Sequence, residues 1–445
     1  MGNRISVIAA LAAGILLTAA APVAAQHGAP PTAAQADASA RSDLTALHAF
    51  LAADKSYSAE GRAAAEAELA RMEAHADQLG KVQLALGAAR IAALADNGHT
   101  LAMNGVGGPG LKRIPWRLMV LDGRLVVAQA DEPALIGAEV LSVGGASTDA
   151  IRQAARRYRG GTDGWRDLIM PELAEAPEAL AAAGLISDAT TVEVVVRDRN
   201  GAEARRTLTA VDAPPAGFFR RNPLRMSGAL AMTPGGAAQP VWLGEPSKAF
   251  ITADLPDLEA MYVGLRQTND DGQTSIRDWL TATAAEIDAR RPRNVVLDMR
   301  LNGGGDLNTA RAFMKGLPGR IPADGKVFVL TSPMTFSAAI SSIGYLKEAG
   351  GDRVVIVGEP VGDRLEFWAE GDPMQLPWSG AMLLFATERH NYMTGCPEAD
   401  CHGPIRRNPI RVASLQPDIA APMTAEAWIA GRDPALEAVA AYLRR

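Results

Sequence analysis

Residues 294–363 read "NVVLDMRLNGGGDLNTARAFMKGLPGRIPADGKVFVLTSPMTFSAAISSIGYLKEAGGDRVVIVGEPVGD". Three short runs in it, "NVVLDMR", "KVFVLT" and "RVVIVGEP", are rich in β-branched residues and too short for stable helices. Between them, "LNTARAFMKGL" and "FSAAISSIGYLKEAG" space their apolar residues for helices. Regular alternation of this kind predicts a largely parallel sheet flanked by helices. The pattern starts upstream, with a strand at "KAFITADL" and a helix at "TSIRDWLTATAAEIDARR", where Ser275 is placed to cap. Residues 213–445 are assigned to this α/β core.

Working outward, the texture changes twice. Residues 106–212 carry short alternating runs. Hairpins are predicted at Asp122-Gly123, Gly144-Gly145 and Asn200-Gly201, with helices at about Thr148–Tyr158 and Asp167–Ala183. This is a small strand-rich module. Residues 43–105 are rich in Ala, Leu and Glu at helical spacing, with Ser58 able to cap in "SAEGRAAAEAELARMEAHADQ", and are read as a small helical domain.

The start of the chain predicts export. Arg4 precedes an apolar run from Ile5 to Ala21, and small residues at Val23 and Ala25 follow. That is the pattern of a secretory signal peptide over 1–25, with cleavage after Ala25, followed by a flexible linker over 26–42. The rival reading, a membrane anchor, is weakened by Gly14 and Pro22. A periplasmic or secreted protein is expected, with no stable membrane span after cleavage. The 445 residues carry a formal net charge of −6, with 21% charged and 48% hydrophobic residues. That balance describes a globular chain and gives no basic footprint for nucleic acid. The two cysteines, Cys396 and Cys401, are expected to pair in an oxidising compartment. A metal site using them with His402 is the rival, and no fourth ligand is visible. No metal and no cofactor are expected.

Ligand sites in such folds form where strands end and helices begin. One such end is "LDMRLNGGGDLN". Its Gly303, Gly304 and Gly305 lack the spacing and lysine of a phosphate loop, and an oxyanion hole is the better chemical reading. A second is "TSPMTFSAA", which puts Ser337 at a helix start, where free backbone amides face outward. Ser337 reads as a nucleophile or as a plain N-cap. Ser341 and Ser342 fall inside the helix, and Ser332 in a turn. The third end is "VIVGEPVGD", with Glu359 and Asp363 as available carboxylates. A serine needs a proton acceptor. Among the histidines, His99 in "DNGHT" (Asp96–Thr100), His390 and His402 remain as candidates.

The core motifs "NVVLDMRLNGGG", "TFSAAISSIGYLKEAGGDRVVIVGEPVGD" and "QPDIAAPMTAEAWIAGRDPALE" together resemble the tail-specific, or C-terminal processing, serine protease family. The resemblance implies a crotonase-like α/β core with a PDZ-like module and a peptide or unfolded-protein substrate. In one branch a lysine in the turn after the next strand serves the serine. Here Asp363 and Arg364 stand where "GK" would, and arginine stays protonated. The tricorn-like branch places a histidine before the PDZ-type module, where "DNGHT" stands. That carry-over makes Ser337 the nucleophile and His99 the base. Gly303 or Gly304, with Ala338, forms the oxyanion hole, and Glu359 is the supporting carboxylate. The alternative is a catalytically inactive member that binds peptide or lipid.

Overall fold

The computed structural model describes residues 39–103, 106–212, 240–245 and 247–445. The expected signal peptide lies outside the described residues, as does most of the expected linker. The first helix, Ala40–Ala53, begins before Asp43.

The α/β alternation read from residues 294–363 becomes the central sheet. Its strands run in the order Ile419–Ala420, Val354–Gly358, Val327–Thr331, Asn294–Asp298, Ala260–Leu265 and Phe250–Leu255. All neighbours pair parallel except the last two strands, which form an antiparallel pair. Alternate residues of each strand enter different cores, as period-two geometry demands. Val295, Leu297, Val327, Val329 and Ile356 pack with the helices Ile276–Arg290, Leu307–Gly316 and Ala338–Gly350. Val296, Phe328, Leu330, Val355 and Val357 face the other way. They pack with Val439 of the helix Pro434–Leu443 and with Met119, Leu121, Val126 and Ala128 of a second sheet.

That second sheet is antiparallel and orders Trp116–Leu121, Arg124–Ala130, Glu139–Val143, Thr191–Arg197 and Glu203–Thr209. Asp122 and Gly123 both have positive φ (47° and 72°), which a two-residue hairpin turn requires. The helix expected over Asp167–Ala183 is instead three short ones, Asp163–Asp167, Met170–Ala174 and Pro177–Ala182. Pro171 and Pro177 explain the breaks, because proline lacks the N–H that a continuing helix needs. The N-terminal helices share one core with this sheet: Leu47, Phe50, Leu84 and Ile91 pack in the same cluster as Leu118, Val127 and Val194.

The C-terminal helix is locked to the central sheet by charge. The buried Arg300 guanidinium donates to Asp298 and Asp433 and lies 4.4 Å over the Trp242 ring. Both carboxylates push Arg300 well above its ordinary pKa, against the desolvation that lowers it. Asp433 also caps Pro434–Leu443 through the amides of Ala435 and Leu436. Asp433→Ala therefore leaves Arg300 with one buried partner and removes the cap. A loss of about 3–5 kcal/mol is expected, read as a lower denaturant midpoint.

Candidate active site

Every residue of "DNGHT" is held by a named partner. Asp96 accepts from Arg166 at 2.7 Å and from Arg364 at 2.8 Å. Asn97 pairs with the Trp368 backbone in both directions, at 3.0 Å each way. The Gly98 carbonyl accepts from Trp165 Nε1. The hydroxyl of Thr100 donates to the buried Asp54 at 2.7 Å. Gly98 has no room for a side chain: a Cβ there would lie 2.5 Å from Asp363 Oδ2. The loop is thus docked onto the turn that follows the strand Val354–Gly358, more than 260 residues away in sequence.

This docking orients His99. Its ring is buried between Phe336 and Phe367, at centroid distances of 4.3 and 5.0 Å. Nδ1 lies 3.2 Å from Asp363 Oδ2, and the Asp363 side chain is 1% exposed. Asp363 Oδ1 accepts from the amide of Arg364. A carboxylate on Nδ1 selects, for the neutral imidazole, the tautomer that donates from Nδ1 and leaves Nε2 as the bare nitrogen. Nε2 is buried with no hydrogen-bond partner among the described residues.

Ser337 follows Phe336, the ring stacked on His99, and opens the helix Ala338–Gly350. Its backbone is in an uncommon conformation (φ 55°, ψ −125°), and its hydroxyl makes no cap hydrogen bond. The N-cap reading therefore fails. A non-glycine residue held at positive φ at a helix start is strained, as exposed nucleophiles on sharp turns are. No hydrogen bond joins Ser337 to His99 among the described residues.

The glycine run packs against this turn. A Cβ on Gly304 would fall 2.6 Å from Ser337 Cβ and 3.2 Å from the Ala338 nitrogen, so only glycine allows the approach. The Gly304 amide already donates to Asn302 Oδ1 at 2.9 Å. The Phe336 amide donates to the Asn302 carbonyl at 3.0 Å, tying the two loops together. The amides of Gly303 and Ala338 have no partner among the described residues. Of the two glycines, Gly303 is the one with a free donor.

One expectation is corrected. The carboxylate on His99 Nδ1 is that of Asp363, and Glu359 lies elsewhere. The Glu359 amide donates to the Thr331 carbonyl and its own carbonyl accepts from the Thr331 hydroxyl, so it stays in register with the strand end. Its carboxyl lies by the Met423 backbone, Asp122 and Arg300, and burial pushes its pKa up. The signal for Asp363 was present in the sequence. It stands in the turn where the lysine of the Ser-Lys pattern is missing, and its neighbour Arg364 ties that turn to Asp96.

The remaining candidates have other work. Ser332 donates to the Arg300 carbonyl, Ser341 pairs with Tyr392 at 2.6 Å, and Ser342 donates to the Ala338 carbonyl. Lys347 donates to the Val354 carbonyl at the far end of the helix. Cys396 and Cys401 form a disulfide. His390 and His402 converge on Glu370, separated from His99 by the ring of Phe367.

No family model matches the chain, and no curated protein matches it. Among solved structures, mature CPAF with lactacystin bound aligns at TM-score 0.60 and 12% identity, over 91% of this chain and 97% of that one. Mature CPAF alone aligns at TM-score 0.57 and 12% identity, over 91% and 96%. The fold is similar to that of CPAF. The likeness is one of architecture over nearly the whole of both chains. Among the described residues, no helix is long and apolar enough to cross a membrane.

Proposed function

We propose that the chain is an exported serine endopeptidase of the tail-specific protease family, with a crotonase-like core and a PDZ-like module. The single observation that carries the reading is His99. It is oriented by Asp363 through Nδ1, with a buried, unpartnered Nε2, beside the strained turn of Ser337. In this mechanism Ser337 Oγ attacks the scissile carbonyl as Nε2 takes its proton. His99 then returns the proton to the leaving amine, and water repeats the cycle on the acyl-enzyme. Asp363 holds the tautomer and stabilises the imidazolium. The free amides of Gly303 and Ala338, the latter at a helix N-terminus, receive the developing oxyanion.

The gap between Ser337 and His99 closes on substrate binding, since catalytic hydrogen bonds are often loose in empty sites. A peptide adds as a strand to an edge of the antiparallel sheet. The purified protein is expected to cleave an unfolded protein such as reduced, alkylated casein, with fragments seen by mass spectrometry. Intact casein after prolonged incubation would count against the reading.

The absent Ser337–His99 hydrogen bond favours a second reading, a binding module without hydrolysis. Labelling by a fluorophosphonate separates the two, because only an activated serine forms the adduct.

A further inference from the structure

We propose that Glu370, His390 and His402 form a binding site for a divalent transition-metal ion, with zinc the best fit. Nothing in the peptidase reading calls for this site, and it does not rest on that reading. The three residues come from different segments. Glu370 follows the strand Glu366–Ala369, and His390 lies on its partner strand Glu388–Asn391. His402 follows Cys401, whose disulfide closes the adjoining loop. Their ligand atoms all lie within 4.8 Å of one another. His390 Nε2 is 3.2 Å and His402 Nε2 3.8 Å from Glu370 Oε1. Ligands on a tetrahedral ion with bonds near 2.0–2.1 Å sit about 3.3 Å apart, so little movement is needed.

The hydrogen-bond network can present the required lone pairs. His402 Nδ1 lies 2.6 Å from Glu388 Oε2, so it donates there and its Nε2 is bare. His390 Nδ1 lies 3.0 Å from the hydroxyl of Tyr392, which in turn lies 2.6 Å from Ser341 Oγ. When Tyr392 donates to Ser341, His390 donates to Tyr392 and offers Nε2 as a lone pair; in the other tautomer Tyr392 donates to Nδ1 and Nε2–H donates to Glu370. In the first tautomer two imidazole lone pairs and a carboxylate face one another, the arrangement a cation takes up; in the metal-free second one the Nε2 proton of His390 bridges to Glu370 in its place. The carboxylate of Glu388 on the second ring nitrogen of His402 is the partner that metal-bound histidines commonly have. The backbone is committed too. The His402 amide donates to the Arg389 carbonyl at 2.9 Å, and Glu370 holds a left-handed φ of 60°. Two histidines and one glutamate form a zinc ligand set that keeps a fourth position for water. The 38% exposure of the Glu370 side chain supplies the opening. The cysteines are oxidised and take no part.

The test uses untagged, disulfide-intact protein stripped with chelator and then titrated with Co²⁺ and Zn²⁺. One equivalent of Co²⁺ should bind with the absorption of a tetrahedral ion, and Zn²⁺ should displace it. His402→Ala, which alters a partly exposed residue, and Glu370→Gln should each weaken binding at least about tenfold. Zinc should raise the melting temperature of the parent and not of these variants. His99→Ala should bind like the parent. No binding to the parent overturns the proposal. Binding that survives both ligand substitutions places the ion elsewhere and overturns it equally.

Discussion

Ser337→Ala and His99→Ala are each expected to lower the rate of peptide hydrolysis by about 10⁴- to 10⁶-fold, and the double variant to lose little more. The non-additivity is the informative part. A hydroxyl is a poor nucleophile without a base, and the base has nothing to do without the hydroxyl. Both variants should fold. The Ser337 side chain makes no cap hydrogen bond, and "DNGHT" keeps its ties from Asp96, Asn97, Gly98 and Thr100 after His99 is cut back. Ser341→Ala is the control from the same helix, and it should retain activity within a few-fold. Initial rates on a fluorogenic peptide, with circular dichroism to verify folding, decide the matter.

Asp363→Asn is expected to lower hydrolysis by about 10⁴-fold with the fold intact. The asparagine amide turns its donor toward His99 Nδ1 and favours the wrong tautomer, so the proton sits on Nε2 where Ser337 needs a lone pair. Glu359→Gln should stay within a few-fold of the parent, because that carboxyl neighbours Met423, Asp122 and Arg300 instead. The pair of variants separates two carboxylates that stand four residues apart in one turn. A large loss in Glu359→Gln and none in Asp363→Asn would reverse the assignment.

Much of the fold could be read from local pattern. The central sheet follows from β-branched runs alternating with helical segments, and the hairpins follow from Asp-Gly and Asn-Gly pairs. These signals are short-range, which is why they survive in a single sequence. Over Asp167–Ala183 the apolar spacing points to one helix, and Pro171 and Pro177 break it into short ones.

The site was legible only in part, because its parts meet across long sequence distances. Ser337 was marked by its place at a helix start, and its strained φ has no sequence signature. His99 could be chosen over His390 and His402 only through the family resemblance. Choosing between Glu359 and Asp363 needed the docking of "DNGHT" onto the turn, where Arg364 reaches Asp96 and Gly98 leaves room for Asp363. In the sequence Arg364 is only a residue unable to act as a base. Its observed work is to hold the histidine loop in place.

The central claim is that His99, oriented by Asp363, activates Ser337. Fluorophosphonate labelling followed by peptide mass mapping tests it most directly. The account predicts a single adduct on Ser337, formed far more slowly in His99→Ala and in Asp363→Asn and absent in Ser337→Ala. An unlabelled Ser337 in the folded parent, or labelling at the same rate without His99, would contradict it.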